Sequence, residues 1–564
     1  MQDYYNMDQT ILSINLDYSP EENHPAIYIN SLVESLKLKH QYQFGRPREY
    51  DLSAMLKLVL LAYSYGIFSS RKIERFAREN KPAAWLVADQ VPSYRTICRF
   101  RISQELADLT KKSLDALTKF FRENGLIDDI TFIDGTKILA DANKYSFVWK
   151  KNTIRYDEMN REKLTKLLGE LHTAKVIDKI PEGSDLTPEL LDIIIGKVED
   201  HLVMLDAKIE SSKKGRPNPA KKERRTIRSK HKKLVSSRDK LAEHQEQMDI
   251  YQDRSSYSKT DHDATFMRAK EDPMKNAPLK PGFNLQLATN NQFILGFQIF
   301  QNPADTRTLI PFIETLKENR VLGATIVADA GYASESNYRY LEDELGQGST
   351  LIPYGTMLRE NSRKWKSDDS KVMNWDYYDQ DDYFIDPKGV RFNFNAYRHR
   401  TDKRGFTRDF KEYVAEQYDE NHEVIKKALT PKGYLRRIEV NEDWEYFKAQ
   451  QRELLSSPKT SSIYARRQID VEPVFGRMKA SLGFTKFSVR GKDKVSKEIG
   501  IVAIALNILK LVSLRAASNK KEVRKKLRKT KIRFFATFSI IFNILGSYVT
   551  TSIWRLTPRS LHAV

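Results

Sequence analysis

Twice along this chain a short run of branched and aromatic residues closes on an aspartate, first as Ile130-Thr-Phe-Ile-Asp134 and later as Ala324-Thr-Ile-Val-Ala-Asp329. Each run has the length of a buried strand, with its acid at the strand's end. Between them Gly282–Ala288 and Phe293–Phe300 flank the turn residues Thr289-Asn-Asn-Gln292, a hairpin pattern. Helical periods follow at Asp305–Asn319 and Glu335–Glu344, with a short strand at Thr350–Pro353.

With two long interruptions set aside, the order is strand with acid, strand, strand, helix, strand with acid, helix, strand, helix with acid. That order predicts an α/β ribonuclease-H-like core, in which the first and fourth strands lie side by side. Asp134 and Asp329 then become neighbours in space, and Glu472 on the last helix covers the same edge. Three carboxylates on rigid elements suit two hard divalent cations, of which Mg²⁺ is the usual occupant of all-oxygen ligand sets. Two such ions activate a water or a 3′-hydroxyl and stabilise the leaving oxygen of a phosphodiester displacement.

Ahead of the first strand the pattern is helical and punctuated. Asp51 caps a helix through Leu52, Met55, Leu56, Val59 and Ala62 that Gly66 ends; Ser69 or Ser70 opens a second, and Ser93 a third over Tyr94–Arg101. A longer amphipathic helix runs to about residue 123. Short helices with tight turns, and with arginines on one of them, predict an all-α helix-turn-helix-like unit. Arg95 and Arg99, one turn apart, face either a DNA groove or solvent.

The first interruption (about 141–275) is long charged helix, dense in Lys and Arg over Lys213–Lys240, and reads equally as a solvated coiled-coil face or a DNA-contacting arm. The second (about 355–460) is aromatic and β-rich, with strands expected at Tyr383–Ile385 and Val390–Phe394. Helical periodicity resumes at Ser461, and Lys494–Leu514 is an apolar helix with little polar interruption. Three units result: 1–125, helical; 126–515, catalytic; and 516–564, a basic and then apolar tail.

The net charge of +20 over 564 residues favours a polyanionic partner, nucleic acid above all. A single cysteine, Cys98, excludes an internal disulfide, a cysteine zinc site and an iron–sulfur cluster, and points to a reducing compartment. Cys98 itself reads as inert core. The acidic first thirty residues contain no signal-peptide pattern.

Five motifs in order carry a family resemblance. They are Gly45-Arg-Pro-Arg-Glu-Tyr50 with Val91-Pro-Ser-Tyr-Arg-Thr-Ile-Cys-Arg-Phe-Arg101, Phe132-Ile-Asp-Gly-Thr-Lys137, Thr260-Asp-His-Asp-Ala264 with Gly282-Phe-Asn-Leu-Gln286, Val327-Ala-Asp-Ala-Gly-Tyr-Ala-Ser334, and Ile469-Asp-Val-Glu-Pro-Val-Phe-Gly-Arg-Met-Lys479. From about Arg46 to Leu514 the chain resembles the DDE transposases of bacterial insertion sequences, and most closely the IS1182-like group.

The resemblance implies Asp134, Asp329 and Glu472 as the metal-binding catalytic triad, with Mg²⁺ as cofactor and Mn²⁺ as its substitute. It also implies Tyr464, Arg467 and Lys479 as DNA contacts, although Gln468 stands where the family's arginine is expected. Pro473 implies a helix start or a kink beside Glu472. Double-stranded DNA at element ends and target is the implied partner, with a homodimer in the DNA complex and a cytoplasmic, nucleoid-associated location. Two other classes remain open, a domesticated and inactive DNA-binding regulator and a metal-dependent nuclease without strand transfer. In the tail, Phe534–Trp554 is uncharged and just long enough to span a bilayer. Its Thr, Ser and Asn content favours a packed tail, with no stable membrane association.

Overall fold

Of the six helices described before residue 130, five begin where a side chain takes up a free backbone N–H. The computed structural model describes residues 18–38, 49–181, 185–212, 218–268, 278–346, 350–418 and 422–518. In it α1 (Pro25–Ser35) follows His24, α2 (Leu52–Ser64) follows Asp51, and α4 (Lys81–Leu86) follows Asn80; α5 (Tyr94–Ile102) and α6 (Gln104–Glu123) follow Ser93 and Ser103. In each case the residue's side chain accepts from an N–H of the first turn; α3 (Ser70–Glu79) has no such bond. Gly66, at φ +71°, ends α2 where a Cβ would lie 2.7 Å from the Leu482 carbonyl oxygen. Sequence punctuation misses α1 and α4 because their prolines, Pro25 and Pro82, sit in the first helical turn, where proline starts a helix rather than breaking it.

The central sheet is built on β1 (Ile130–Leu139). The chain then leaves through β2 (Phe147–Trp149), makes α7 (Lys150–Thr173), α8 (Pro188–Glu210) and α9 (Pro219–Tyr251), and returns through β3 (Ser256–Ser258), which pairs with β2. Leu164, Leu168, Leu191, Ile195, Ile227 and Leu234 form a core that belongs to these three helices. Next come β4 (Thr265–Arg268), β5 (Leu279–Asn290), β6 (Phe293–Phe300), α10 (Leu309–Glu318), β7 (Thr325–Val327), α11 (Glu335–Leu345) and β8 (Thr350–Leu351).

β5 runs antiparallel to β1 on one side, and to β6 and β4 on the other. β7 lies parallel to β1, and β8 parallel to β7. The order β6-β5-β1-β7-β8 puts the first and fourth core strands side by side, as the strand-and-acid pattern predicts; β1, however, runs on to Leu139 because it stays paired with β5, so Asp134 lies in mid-strand and not at its end. The β5–β6 turn needs two residues with positive φ, and Asn291 and Gln292 supply them at 50° and 68°.

After the short α12 (Met357–Glu360) and α13 (Arg363–Lys366), a second sheet follows as a meander of β9 (Asp376–Tyr378), β10 (Tyr383–Ile385), β11 (Arg391–Thr401), β12 (Thr407–Ala415) and β13 (Arg437–Val440). β11 extends beyond its expected end because its outer half is exposed and polar and so lacks an apolar alternation to read. The described residues end with α14 (Glu442–Ser456), α15 (Pro458–Gly476), a π turn at Arg477–Ser481 and α16 (Lys492–Ser518).

α16 is long and apolar enough to cross a membrane by length and composition. Here it is a core helix: Ile499, Val502, Ile504 and Ile508 are buried in one cluster with residues of α1, α2, α6 and β6. Asn507 seals the free side of β6, its Oδ1 accepting from Ile294 N at 2.7 Å and its Nδ2 donating to Ile294 O at 2.8 Å. The apolar 534–554 segment of the tail lies outside the described residues.

Where α5, α2 and α16 meet, Arg101 is buried against Glu498, with Nη2 2.6 Å from Oε1. The guanidinium also donates to Tyr63 Oη at 2.6 Å, to Ser70 Oγ at 3.0 Å and to Ser488 Oγ at 2.5 Å. Arg101→Met therefore leaves Glu498 buried without its cation. It should lower stability by about 3–5 kcal/mol, whereas Arg101→Met/Glu498→Leu should recover a large part of that loss. Urea midpoints followed by tryptophan fluorescence check the pair; a double variant no better than the single one would refute the account.

Candidate active site

Ile130, Thr131 and Phe132 of β1 pair in parallel with Thr325, Ile326 and Val327 of β7. Carried two residues further on both strands, the same register sets Asp134 beside Asp329. Side chains alternate along a strand, so these acids share a face with Phe132 and Val327. That face is covered by α15, whose Val471 joins Phe132, Val327 and Leu351 in a buried apolar cluster.

Each carboxylate has one oxygen tied down locally. Asp134 Oδ1 accepts from Gly135 N at 2.8 Å, and Asp329 Oδ1 accepts from Gly331 N at 2.8 Å, in the 3-10 turn Ala330–Tyr332. Asp134 Oδ2 faces Arg467 Nη1 of α15 at 3.4 Å. Tyr464, one turn before Arg467, is close enough to feel the whole group. Burial pushes its phenol up, Arg467 pulls it down through charge and a hydrogen bond, and Asp329 and Asp134 push it up again.

Behind the pair, on the opposite face of the sheet, lies a buried polar network. Gln286 stands opposite Gly135 across the β1–β5 ladder. Its Nε2 donates to Asp305 Oδ1 at 3.1 Å, and Asn284 Nδ2 donates to the same oxygen at 2.8 Å. Tyr332 Oη donates to Gln286 Oε1. The Tyr332 phenol is held well above its ordinary pKa, first by burial and then by Asp305, Asp134 and Asp329. Sequence reasoning missed Asp305 and took it for a helix start. A signal was there in Asn284 and Gln286, two polar residues alternating inside an otherwise apolar strand, because buried amides need partners.

The structure brings Asp134, Asp329, Tyr464 and Arg467 together. It leaves Glu472 exposed on the outer side of α15, roughly 140° around the helix from Arg467. Asp470, on the inner side, is buried; it accepts from Thr289 Oγ1 at 2.7 Å and Gln292 N at 3.2 Å, and burial raises its pKa. α15 runs through Pro473, and Lys479 falls in the π turn beyond it, so Lys479 is not stacked two α-turns after Glu472. Among the described residues no three of His, Cys, Asp and Glu lie close enough to hold a metal ion.

Arg95 and Arg99 are exposed on α5, away from the acids, Arg95 Nε donating to Tyr94 Oη at 3.3 Å. Cys98, expected in the core, is exposed beside them: Ile97 and Phe100 take the inward positions of this short helix and turn Cys98 outward. Asp141 is paired with Lys486 at 2.7 Å and Arg490 at 3.1 Å. Asp261 and Asp263 accept from Gly491 N and Lys492 N at the start of α16, a structural use of both.

Residues 254–508 match the family model of the transposase DDE domain, and residues 15–103 match that of a transposase domain (DUF772). The two together are the architecture of IS1182-family DDE transposases. The first match implies a ribonuclease-H-like core. No curated protein matches the chain.

A Cβ on Gly135 would lie 2.3 Å from Gln286 Nε2 and 3.1 Å from Asp305 Oδ1. Because Gln286 is wholly buried between Asn284, Asp305 and Tyr332, it has little room to retreat. Gly135→Ala should therefore cost about 1–3 kcal/mol. Gly135→Ala/Gln286→Ala should be less affected by the added methyl. Thermal unfolding of the four proteins in this cycle tests the coupling, and strictly additive effects would argue against it.

Proposed function

The chain belongs to the DDE transposases, and on that premise we propose that it cuts the ends of an insertion sequence from DNA and joins them to a target, with Mg²⁺ or Mn²⁺ held by Asp134, Asp329 and Glu472. The observation that supports this reading most is the parallel β1–β7 register, which, carried two residues past the end of β7, sets Asp329 beside Asp134 in the middle of β1. The donors are carboxylate oxygens only, the chemistry a hard divalent cation selects. Two carboxylates completed by substrate phosphate oxygens are a common Mg²⁺ environment.

The chain's own residues divide the work. The N–H groups of Gly135 and Gly331 orient Asp134 and Asp329 by holding one oxygen of each, and Arg467 faces the second oxygen of Asp134. When bound, divalent ions supply activation of a water or 3′-hydroxyl and neutralise charge on the leaving oxygen. Arg467, now on Asp134, and Tyr464 would take the scissile phosphate, and Lys479 a neighbouring one. For Glu472 to join the pair α15 would have to turn; Pro473, and the π turn that follows the helix, are where regular α geometry is interrupted.

The N-terminal helices, as a helix-turn-helix-like unit with Arg95 and Arg99 outward, bind the terminal inverted repeats. Two copies act together on two ends, in the cytoplasm at the nucleoid and without stable membrane association.

Asp134→Asn, Asp329→Asn and Glu472→Gln should each reduce cleavage of element-end DNA to background while changing end binding by less than about twofold, since each swap removes a negative ligand but keeps shape. The assay is full-length protein with end oligonucleotides, Mg²⁺ and a target plasmid. Joined product supports the transposase reading, cleavage alone would make the protein a nuclease, and binding alone would make it a regulator. Near-normal cleavage by any one variant would remove that residue from the triad.

In the same assay Arg95→Ala/Arg99→Ala should weaken end binding and flatten its salt dependence by roughly one to two units of log K against log salt. Unchanged binding would move end recognition elsewhere.

A further inference from the structure

The three-helix insertion sorts its charges by direction. Contacts Asp192–Arg238, Glu199–His231 and Asp206–Arg224 run in opposite order along α8 and α9, so the two helices are antiparallel. The first half of α9 therefore lies at the end of the insertion far from the β2–β3 ladder. Ile227, Leu234 and Leu241 are its buried seam. Cations flanking that seam have partners: Arg224 with Asp206, Lys230 with Glu170, His231 with Glu199 and Arg238 with Asp192.

The outward cations have none. Lys221, Lys222, Arg225, Arg228, Lys232 and Lys233 are all exposed, and no side-chain hydrogen bond or ion pair is found for them among the described residues. At about 100° per residue they fill an arc of roughly 140° centred opposite the seam. Glu223, the one acid between Lys221 and Lys233, lies on the seam side and pairs with His201. Lys221–Arg225 and Arg228–Lys232 are like charges one turn apart, a mutually repulsive spacing on an isolated helix. The row rises roughly 18 Å along the axis, close to five base-pair steps of B-DNA. It begins about 27 Å up α9 from the foot at Tyr251.

We propose that the outward face of the first half of α9 is a docking surface for the phosphates of duplex DNA, sequence-indifferent and separate from the aspartate pair. The proposal rests on the reading of the chain as a DNA-acting enzyme. It assigns a partner to a face of the insertion whose charge is unanswered within the insertion. Lysines and arginines on a regular helix suit backbone contact, which fixes position along a duplex without reading bases.

The test uses the full chain with a 30-bp duplex of arbitrary sequence, without divalent metal, by fluorescence anisotropy over a NaCl series. In one variant Lys221, Lys222, Arg225, Arg228, Lys232 and Lys233 are changed to Gln. It should bind at least about tenfold more weakly at low salt, with a log K–log salt slope smaller by about 0.9 for each phosphate that is no longer neutralised. A control variant changes Lys112, Lys364, Lys366, Lys388, Lys403 and Lys432 to Gln, removing the same charge from exposed positions elsewhere; its slope should stay near that of the parent. Circular dichroism and thermal midpoints show that both variants are folded. An unchanged slope in the α9 variant, or an equal fall in the control, overturns the assignment of this face. Weakened binding to duplex RNA but not to duplex DNA also overturns it. If the parent chain binds no duplex at all, the DNA-acting reading fails together with this one.

Discussion

The buried pair Arg101–Glu498 is the constraint around which the two halves of the molecule are arranged. Bringing two charges into a core is costly unless neighbouring polar groups share in their hydrogen bonds. Here Tyr63, Ser70 and Ser488 converge on the pair from α2, α3 and the loop before α16. The N-terminal helices are therefore not a module on a tether. They share one apolar cluster with the central sheet, and α16 runs through it. Because Arg101 is locked inward, the same short helix presents Arg95 and Arg99 outward in a fixed direction relative to the aspartates.

Much of the sheet was legible because its strands open as apolar runs, although β1 continues past Asp134 to Leu139 through residues with no apolar alternation to read. The runs ending at Asp134 and Asp329 and the Asn291-Gln292 turn each encode a local decision in local residues. The offset between Asp134 and Asp329 equals the register offset between β1 and β7, so the adjacency of the two acids follows once the strand order is known. The second sheet was only half legible, since β11 and β12 are largely exposed beyond their inner ends and exposed strands have no apolar alternation to betray them. Arg101 was invisible as a core residue for a related reason. Composition treats an arginine as surface, and only its partner, distant in sequence, makes its burial tolerable.

The site shows the same division. The aspartates come from strands and are set by backbone register. The residues on α15 come from a helix, where one position changes direction by about 100°. Spacing along α15 reads as a single face only if the helix stays regular, and the π turn after Gly476 shows that it does not. Tyr332, Gln286 and Asn284 lie within the quoted motifs, but their convergence with Asp305 into a layer beneath the pair is assembled from three segments that meet only in the fold.

The insertion between β1 and β4 leaves and re-enters the domain at almost one point. Phe147, Val148 and Trp149 pair with Ser258, Tyr257 and Ser256, so more than a hundred residues hang from a three-rung ladder. Those residues have their own core, distinct from the one beneath the sheet. A segment with adjoining ends and a private core is a unit of exchange. It can lengthen, shorten or be replaced over evolutionary time while the ladder still closes, and the central sheet registers none of it. The surface such a unit presents can change without touching the strands that carry Asp134 and its neighbours.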